Sequence, residues 1–356
     1  MSFGLAAILS TAALYTATMG ATAYAGEVSV ADKGHAFNPA WSPDGQWVAF
    51  ELNKYAGNAD LYVVKVQNGN PVGTPQKVAL PGSSSQFASG GSIAAAPVWL
   101  PQGMVIFEGS TAGGTTRLFF WKPGGQGAAE LLNSSQVTGT LSWPTVSPDG
   151  KNITFVSDVT GSGDLYSWDR SANKVSLMFT SPFTESGPRY NADGTKLAYS
   201  RKNQGGEDLF THAGGQSTQL IGGNGDQTRP TWVGNNVVFF TDDRGGDRWD
   251  IGVSTGAGSK VTIAKDVRLP LRASPAITPD GKWVVYGVST PEAADKIRFT
   301  TLDGAKTVTY DTGLVACGEP SVASVGDHLY LAFTALPSQG ADWRQLHIVD
   351  VTDLLK

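Results

Sequence analysis

The 356-residue chain has a single cysteine, Cys317, so no disulfide can form within it and no Cx2C metal pattern exists. We read Cys317 as a small buried hydrophobe. Charge is also scarce: Asp, Glu, Lys and Arg make up 16% of residues, and the formal net charge is -5. With no basic excess and no basic run, neither nucleic acid nor a membrane surface is an expected partner. Histidine occurs only at His35, His212, His328 and His347. Beyond the first 25 residues nothing could cross a membrane, and no stretch carries apolar residues at helical spacing.

What the chain has in quantity is turn formers and aromatics: 44 Gly, 19 Pro, 10 Trp and 10 Tyr. Many turns with many aromatics predict numerous short strands. At the N-terminus, "LAAILSTAALYTATMG" is a run of apolar and small residues, and "ATAYA" precedes Gly26. That pattern predicts a signal peptide over 1–25, cleaved after Ala25, and hence a secreted or periplasmic protein. Residues 26–356 are expected to form one domain.

That domain is repetitive. "SPDG" at 42–45 follows Pro39-Ala40-Trp41 and precedes "QWVAF"; "SPDG" at 147–150 follows Trp143-Pro144; "TPDG" at 278–281 precedes "KWVVY". Aligning on the proline gives Pro39, Pro97, Pro144, Pro188, Pro230, Pro275 and Pro320, spaced 58, 47, 44, 42, 45 and 45 residues apart. The wide first interval holds the Ser/Gly-rich "PGSSSQFASGGSIAAA". Each unit continues with a third apolar run, such as "DLYVVKV" or "DLYSWD", and a fourth, such as "KVTIAK". Four strands per repeat of about 45 residues predict an all-β, seven-bladed β-propeller. Asp-Gly supplies a tight hairpin, and the proline is expected at the start of each innermost strand, where a missing N–H costs least. The last unit provides only three strands, so "EVSVADKG" after the cleavage site is expected to close the seventh blade.

The "P-x-W-S-P-D-G-x-x-[VIL]-[AT]-F" strand pair followed by "D-[LI]-Y" resembles the TolB-type, WD-repeat-like β-propeller family. The resemblance covers 27–356 and weakens in the fifth and seventh units, where "GNN" and "VGD" replace Asp-Gly. It implies the fold and says little about activity. The α/β domain of TolB is not expected within 26–356, which the repeats fill. Prolyl oligopeptidase-like enzymes carry similar propellers, but no G-x-S-x-G elbow with a following hydrolase domain occurs here. Oligogalacturonate lyases are seven-bladed relatives with a metal among channel histidines. Here only His35 stands just before an innermost strand.

Propellers bind ligands at the mouth of the central channel, so the residues around each repeat proline are the candidates. They are His35, Phe37 and Asn38; Ala95 and Ala96; Ser142 and Trp143; Glu185 and Ser186; Asp226, Thr228 and Arg229; Arg272 and Ser274; and Cys317 and Glu319. We take His35, Asn38, Trp143, Asp226, Arg229, Arg272 and Glu319 as the ligand-binding set, suited to a small polar molecule or a protein or peptide segment. The competing account pairs these charges with one another around a water-filled channel. The leading functional reading is a non-catalytic, monomeric binding scaffold. The alternative is a channel-mouth lyase or hydrolase with Glu185, Glu319 and His35 as acid–base groups.

No cofactor is predicted. A structural or channel Ca²⁺ is the one ion the sequence leaves room for, at Asp242, Asp243, Asp247 and Asp250 in "TDDRGGDRWD". Arg244 and Arg248 stand within that segment, and we assign it, like "SDVTGSGD" at 157–164, to turn structure. Trp121, Trp168 and Trp343 fall at or near third-strand positions, where filling gaps between blades is expected over stacking on sugars. Asn133 and Asn152 head glycosylation sequons.

Overall fold

The computed structural model describes residues 26–54, 58–81, 93–110 and 114–356. The predicted signal peptide lies outside the described residues, as does most of the Ser/Gly-rich insertion. No described helix is long and apolar enough to cross a membrane.

Among the described residues the strands form seven four-stranded antiparallel units. Blade 1 comprises His35–Trp41, Trp47–Lys54, Asn58–Gln67 and Asn70–Lys77. A single parallel bridge, Ala59 to Ile93, joins it to blade 2. The innermost strands of blades 2 to 7 are Ile93–Trp99, Leu141–Val146, Glu185–Tyr190, Gln227–Val233, Ala276–Ile277 and Val315–Val325. Closure follows the prediction: Glu27–Val28 pairs with Gln345–Asp350 as the fourth strand of blade 7.

The core is distributed around the ring. Seven apolar clusters of buried side chains each join one blade to the next, and the one between blades 7 and 1 completes the circle. Second strands such as Val105–Ser110 are buried along their whole length, because a blade has a neighbour on both faces. A lone blade would expose both faces to water, so the ring and the blades are stable only together.

The repeated motif has two structural uses. In "SPDG" the Ser42 hydroxyl donates to Asp44 Oδ1 at 2.6 Å, and Asp44 Oδ1 also accepts the Gln46 N–H. The Trp47 N–H donates back to the Ser42 hydroxyl at 2.9 Å. The same set recurs around Asp149 and Asp280. Only the glycine is left-handed (Gly45, φ +66), so the aspartate staples the turn rather than sharing its geometry. The tryptophan two residues after the proline stitches neighbouring blades. The Trp41 indole N–H donates to the Ser321 carbonyl, Trp99 to Ala40 and Trp232 to Arg189.

The proline is not where we placed it. In six blades it lies in the middle of the innermost strand, within a break in register between, for example, Phe37 and Ala40 or Thr228 and Thr231, while Pro275 of blade 6 does stand just before its strand. At that break the residue before the proline is left-handed: Asn38 (φ +47), Ala96 (+53), Trp143 (+52), Gly187 (+56), Arg229 (+53) and Glu319 (+54). A missing N–H is tolerated at a bulge as well as at a strand start. Each non-glycine residue held there costs about 1–3 kcal/mol, which the surrounding packing must offset.

Candidate functional site

The six bulges form a belt midway along the channel wall. Each turns a backbone N–H out of its own ladder, and a buried N–H needs a partner. In several blades the preceding blade supplies it. Glu51 Oε1 accepts the Ala96 N–H at 2.7 Å and the Asn38 side-chain amide at 2.6 Å. Glu108 Oε1 accepts the Trp143 N–H at 2.7 Å, and the Ser200 hydroxyl accepts the Arg229 N–H at 3.2 Å. Glu51, Glu108 and Ser200 hold the same second-strand register, opposite Phe37, Ala95 and Ser186. Glu319 of blade 7 accepts the Asn38 N–H at 3.3 Å and the Leu271 N–H at 2.5 Å.

Blade 6 breaks the pattern. Its innermost strand is two residues long, and Ser274 before Pro275 is not left-handed. The segment leading into it reaches across the ring instead. The Leu271 N–H meets Glu319 of blade 7, and the Arg272 N–H donates to Asn38 Oδ1 of blade 1 at 3.2 Å. Arg272 Nη1 pairs with Glu108 Oε2 of blade 2 at 2.8 Å, and its guanidinium lies 4.4 Å from the Trp143 ring centroid of blade 3. Arg229 of blade 5 donates to the Pro270 carbonyl.

Charge is divided around the belt. The carboxylates Glu51, Glu108 and Glu319, at most 4% exposed, belong to blades 1, 2 and 7. Burial pushes all three acids above the usual carboxylate range, Glu319 to about 7. Arg189 and Arg229 come from blades 4 and 5, and burial lowers both, Arg189 to about 10. Arg189 therefore stays protonated at neutral pH.

A cavity of about 420 Å³ lies inside the belt and extends toward the Asp-Gly turns as far as Pro43. Its wall includes Trp41, Trp99, Trp143, several of the repeat prolines, and two arginines, Arg189 and Arg272. No Asp or Glu lines it.

Of the residues singled out from sequence, Asn38, Ala96, Trp143, Arg272 and Ser274 line this cavity. Glu319 and Arg229 sit in the wall of the belt, tied to backbone groups. His35, Glu185 and Asp226 each lie in separate settings. His35 accepts the Arg344 N–H at 3.2 Å and packs edge-on to Trp343, 5.1 Å between centroids. Burial, then Arg344, lowers its pKa. Glu185 is fully buried, paired with Arg201 at 2.8 Å and bonded to the Ser181 hydroxyl. Asp226 accepts the Glu207 N–H at 2.7 Å in the loops between blades 4 and 5. The hydrogen bonds and ion pair of Glu185 and the hydrogen bonds of Glu319 involve no common residue among the described residues. Cys317 is buried, with Thr312 Oγ1 3.0 Å from its sulfur.

In the "TDDRGGDRWD" loop, Asp250 pairs with Arg244 and Asp243 with Lys260, while Asp242 accepts the Asp226 N–H. Among the described residues no group of three or more His, Cys, Asp or Glu is placed to hold a metal. Trp121 is buried between blades 1 and 2, and Trp168 packs against the cluster between blades 2 and 3.

Three residues of this region escaped the sequence reading: Glu51, Glu108 and Arg189. The first two stand as lone acids in the apolar runs "WVAFEL" and "MVIFEG", and a charge inside a buried strand is itself a flag. Arg189 follows its repeat proline, whereas every position we considered precedes one.

Residues 124–334 match the family model described as TolB beta propeller domain. Among solved structures, TolB from Acinetobacter baumannii superposes with a TM-score of 0.56 at 17% identity, covering 79% of this chain and 67% of that one. A puromycin-hydrolyzing peptidase of Mycobacterium tuberculosis gives 0.63 at 15%, covering 89% of this chain and 51% of that one. This chain thus spans about half of the peptidase. An oligogalacturonate lyase from Vibrio parahaemolyticus gives 0.57 at 10%, covering 92% and 91%. At these identities the likeness is one of fold. A comparison with curated protein sequences gives no match.

Proposed function

Given that the chain belongs to the TolB beta-propeller family, we propose that it is an exported, non-catalytic binding protein whose ligand occupies the central cavity. The observation that carries this reading is the cavity itself. It is a space of about 420 Å³, of ligand-site size, where the blades cease to be copies of one another. Its wall combines aromatic surface with a few fixed polar groups, the composition of small-molecule sites. Export rests on the signal-peptide pattern at 1–25.

An enzymatic role would need Glu185, Glu319 or His35 to meet a substrate together, and their separate settings speak for binding instead. Glu319, titrating near neutral pH, is the group an acid–base mechanism would use. The test is a thermal-shift and calorimetric screen of small polar compounds and short peptides against the mature chain. We expect at least one ligand to bind, and Ala273→Trp, which fills the cavity, to abolish its binding while leaving the circular dichroism spectrum intact. Binding that survives Ala273→Trp would place the site elsewhere. Turnover of any ligand, lost in Glu319→Gln, would favour the enzyme.

A further inference from the structure

Two arginines and no acid line the central cavity, and the two are not equivalent. Arg272 is neutralised by Glu108. Arg189 has no ion pair among the described residues, and its one side-chain hydrogen bond runs to the adjacent Pro188 carbonyl. Two further donors on the same wall, Arg272 Nε and the Ser274 hydroxyl, are buried and lack hydrogen-bond partners among the described residues. Such groups are costly to bury unmet. The rest of the wall is Asn38, Thr145 and Ser321 together with proline, alanine, valine and the rings of Trp41, Trp99 and Trp143.

We infer that the cavity takes a small organic monocarboxylate with an aromatic body, its carboxylate held by Arg189 with Arg272 Nε and Ser274 beside it. This deepens the proposed function and rests on it. A carboxylate matches the planar fork of a guanidinium and accepts several donors at once. One unpaired arginine balances one negative charge, whereas a phosphate dianion would leave a charge that no second free cation among the described wall residues compensates. The indole and proline surfaces then cover a flat apolar body.

The test uses three matched probes against the mature chain by titration calorimetry: indole-3-acetate, indole-3-acetamide and tryptamine. We expect the carboxylate to bind, the amide to bind about 10- to 100-fold more weakly as a charged hydrogen bond is lost, and the amine not at all. Arg189→Gln should weaken indole-3-acetate by a similar factor, and Arg189→Lys by less. Because Arg189 has no ion pair among the described residues and burial works against its charge, Arg189→Met should raise the Tm of the ligand-free protein. Equal affinity for acetate and acetamide, or indifference to Arg189→Gln, would overturn the carboxylate assignment yet leave cavity binding standing. The same holds if none of the three probes binds while another ligand is displaced by Ala273→Trp. A screen with no ligand sensitive to Ala273→Trp removes the underlying reading as well.

Discussion

Asp44, Asp149, Asp193 and Asp280 sit on the hairpin turns at one rim of the ring, whereas Glu51, Glu108 and Glu319 sit in its wall. The first set recurs at one turn position in blades 1, 3, 4 and 6 and faces water. Each turn aspartate accepts a neighbouring hydroxyl and a backbone N–H within its own loop. The Ser147 hydroxyl, with the Lys151 N–H, holds Asp149 down at about 2, and the Thr195 hydroxyl lowers Asp193. The second set occurs only in some blades, is buried, and bonds across blade boundaries. Burial drives it the other way. An acid whose bonds stay within its own turn solves a local problem of that turn, and one whose bonds cross a blade boundary serves the particular ring.

The sharpest way to break this comparison is to strand one of the wall acids. Arg272→Ala leaves Glu108 buried without its partner, removes the stacked contact with Trp143, and should destabilise by about 3–5 kcal/mol in urea unfolding at pH 7. The double variant Glu108→Gln/Arg272→Met removes both charges yet keeps an acceptor for the Trp143 N–H, and should recover most of that loss, since an uncharged pair is often no worse than a buried ion pair. An Arg272→Ala variant as stable as the parent would mean that Glu108 is not confined as its setting indicates.

The next largest effect is the pH dependence of Glu319. Its pKa is raised in the folded state, so the protonated form is favoured there. Its contribution to stability is complete below its ordinary value near 4.5 and is lost as pH rises to about 7. A shift of that size corresponds to about 3 kcal/mol, at about 1.4 kcal/mol per unit. Urea unfolding at intervals between pH 5 and 8 should show this decline, with Glu51 and Glu108 pushing in the same direction. Glu319→Gln should flatten it. An undiminished slope in that variant would assign the titration to another group.

The fold was legible in the sequence because its determinants are local and repeated. The prolines gave the blade count, Asp-Gly the hairpins, and the short alternating segment at Glu27 the closing strand. The proline's place within the strand was not legible, because a left-handed residue before proline breaks a local rule and only the ring stabilises it. Gly187, in "SGP", and to a lesser degree Asn38 are the units where the residue type betrays that geometry. The path of residues 269–274 was hidden as well. Blade 6 has an ordinary repeat length of 45, so spacing carries no trace of a segment that crosses the channel. Of the candidate site, the positions flanking the prolines led to Asn38, Trp143 and Arg272. Which charges pair could not be read, because Arg272 and Glu108 lie 164 positions apart and meet only in the closed ring.

The smallest effect belongs to the turns. Asp149 titrates below the usual carboxylate value, so its stabilisation is present above about pH 4 and is lost as pH falls through about 2. The group is exposed, and solvent screens what it gains. Asn can accept the same two hydrogen bonds from Ser147 and Lys151 without carrying a charge. Asp149→Asn should therefore leave the Tm at pH 7 within a degree or two of the parent, since one exposed turn bond is worth little. Below pH 4 the variant should lose less stability than the parent, because it has no carboxylate left to protonate. Scanning calorimetry at pH 7 and at pH 2.5 separates the two conditions. A neutral-pH loss rivalling that of Arg272→Ala would mean that the turn aspartates carry the ring as the wall acids do, and the division between the two sets would fail.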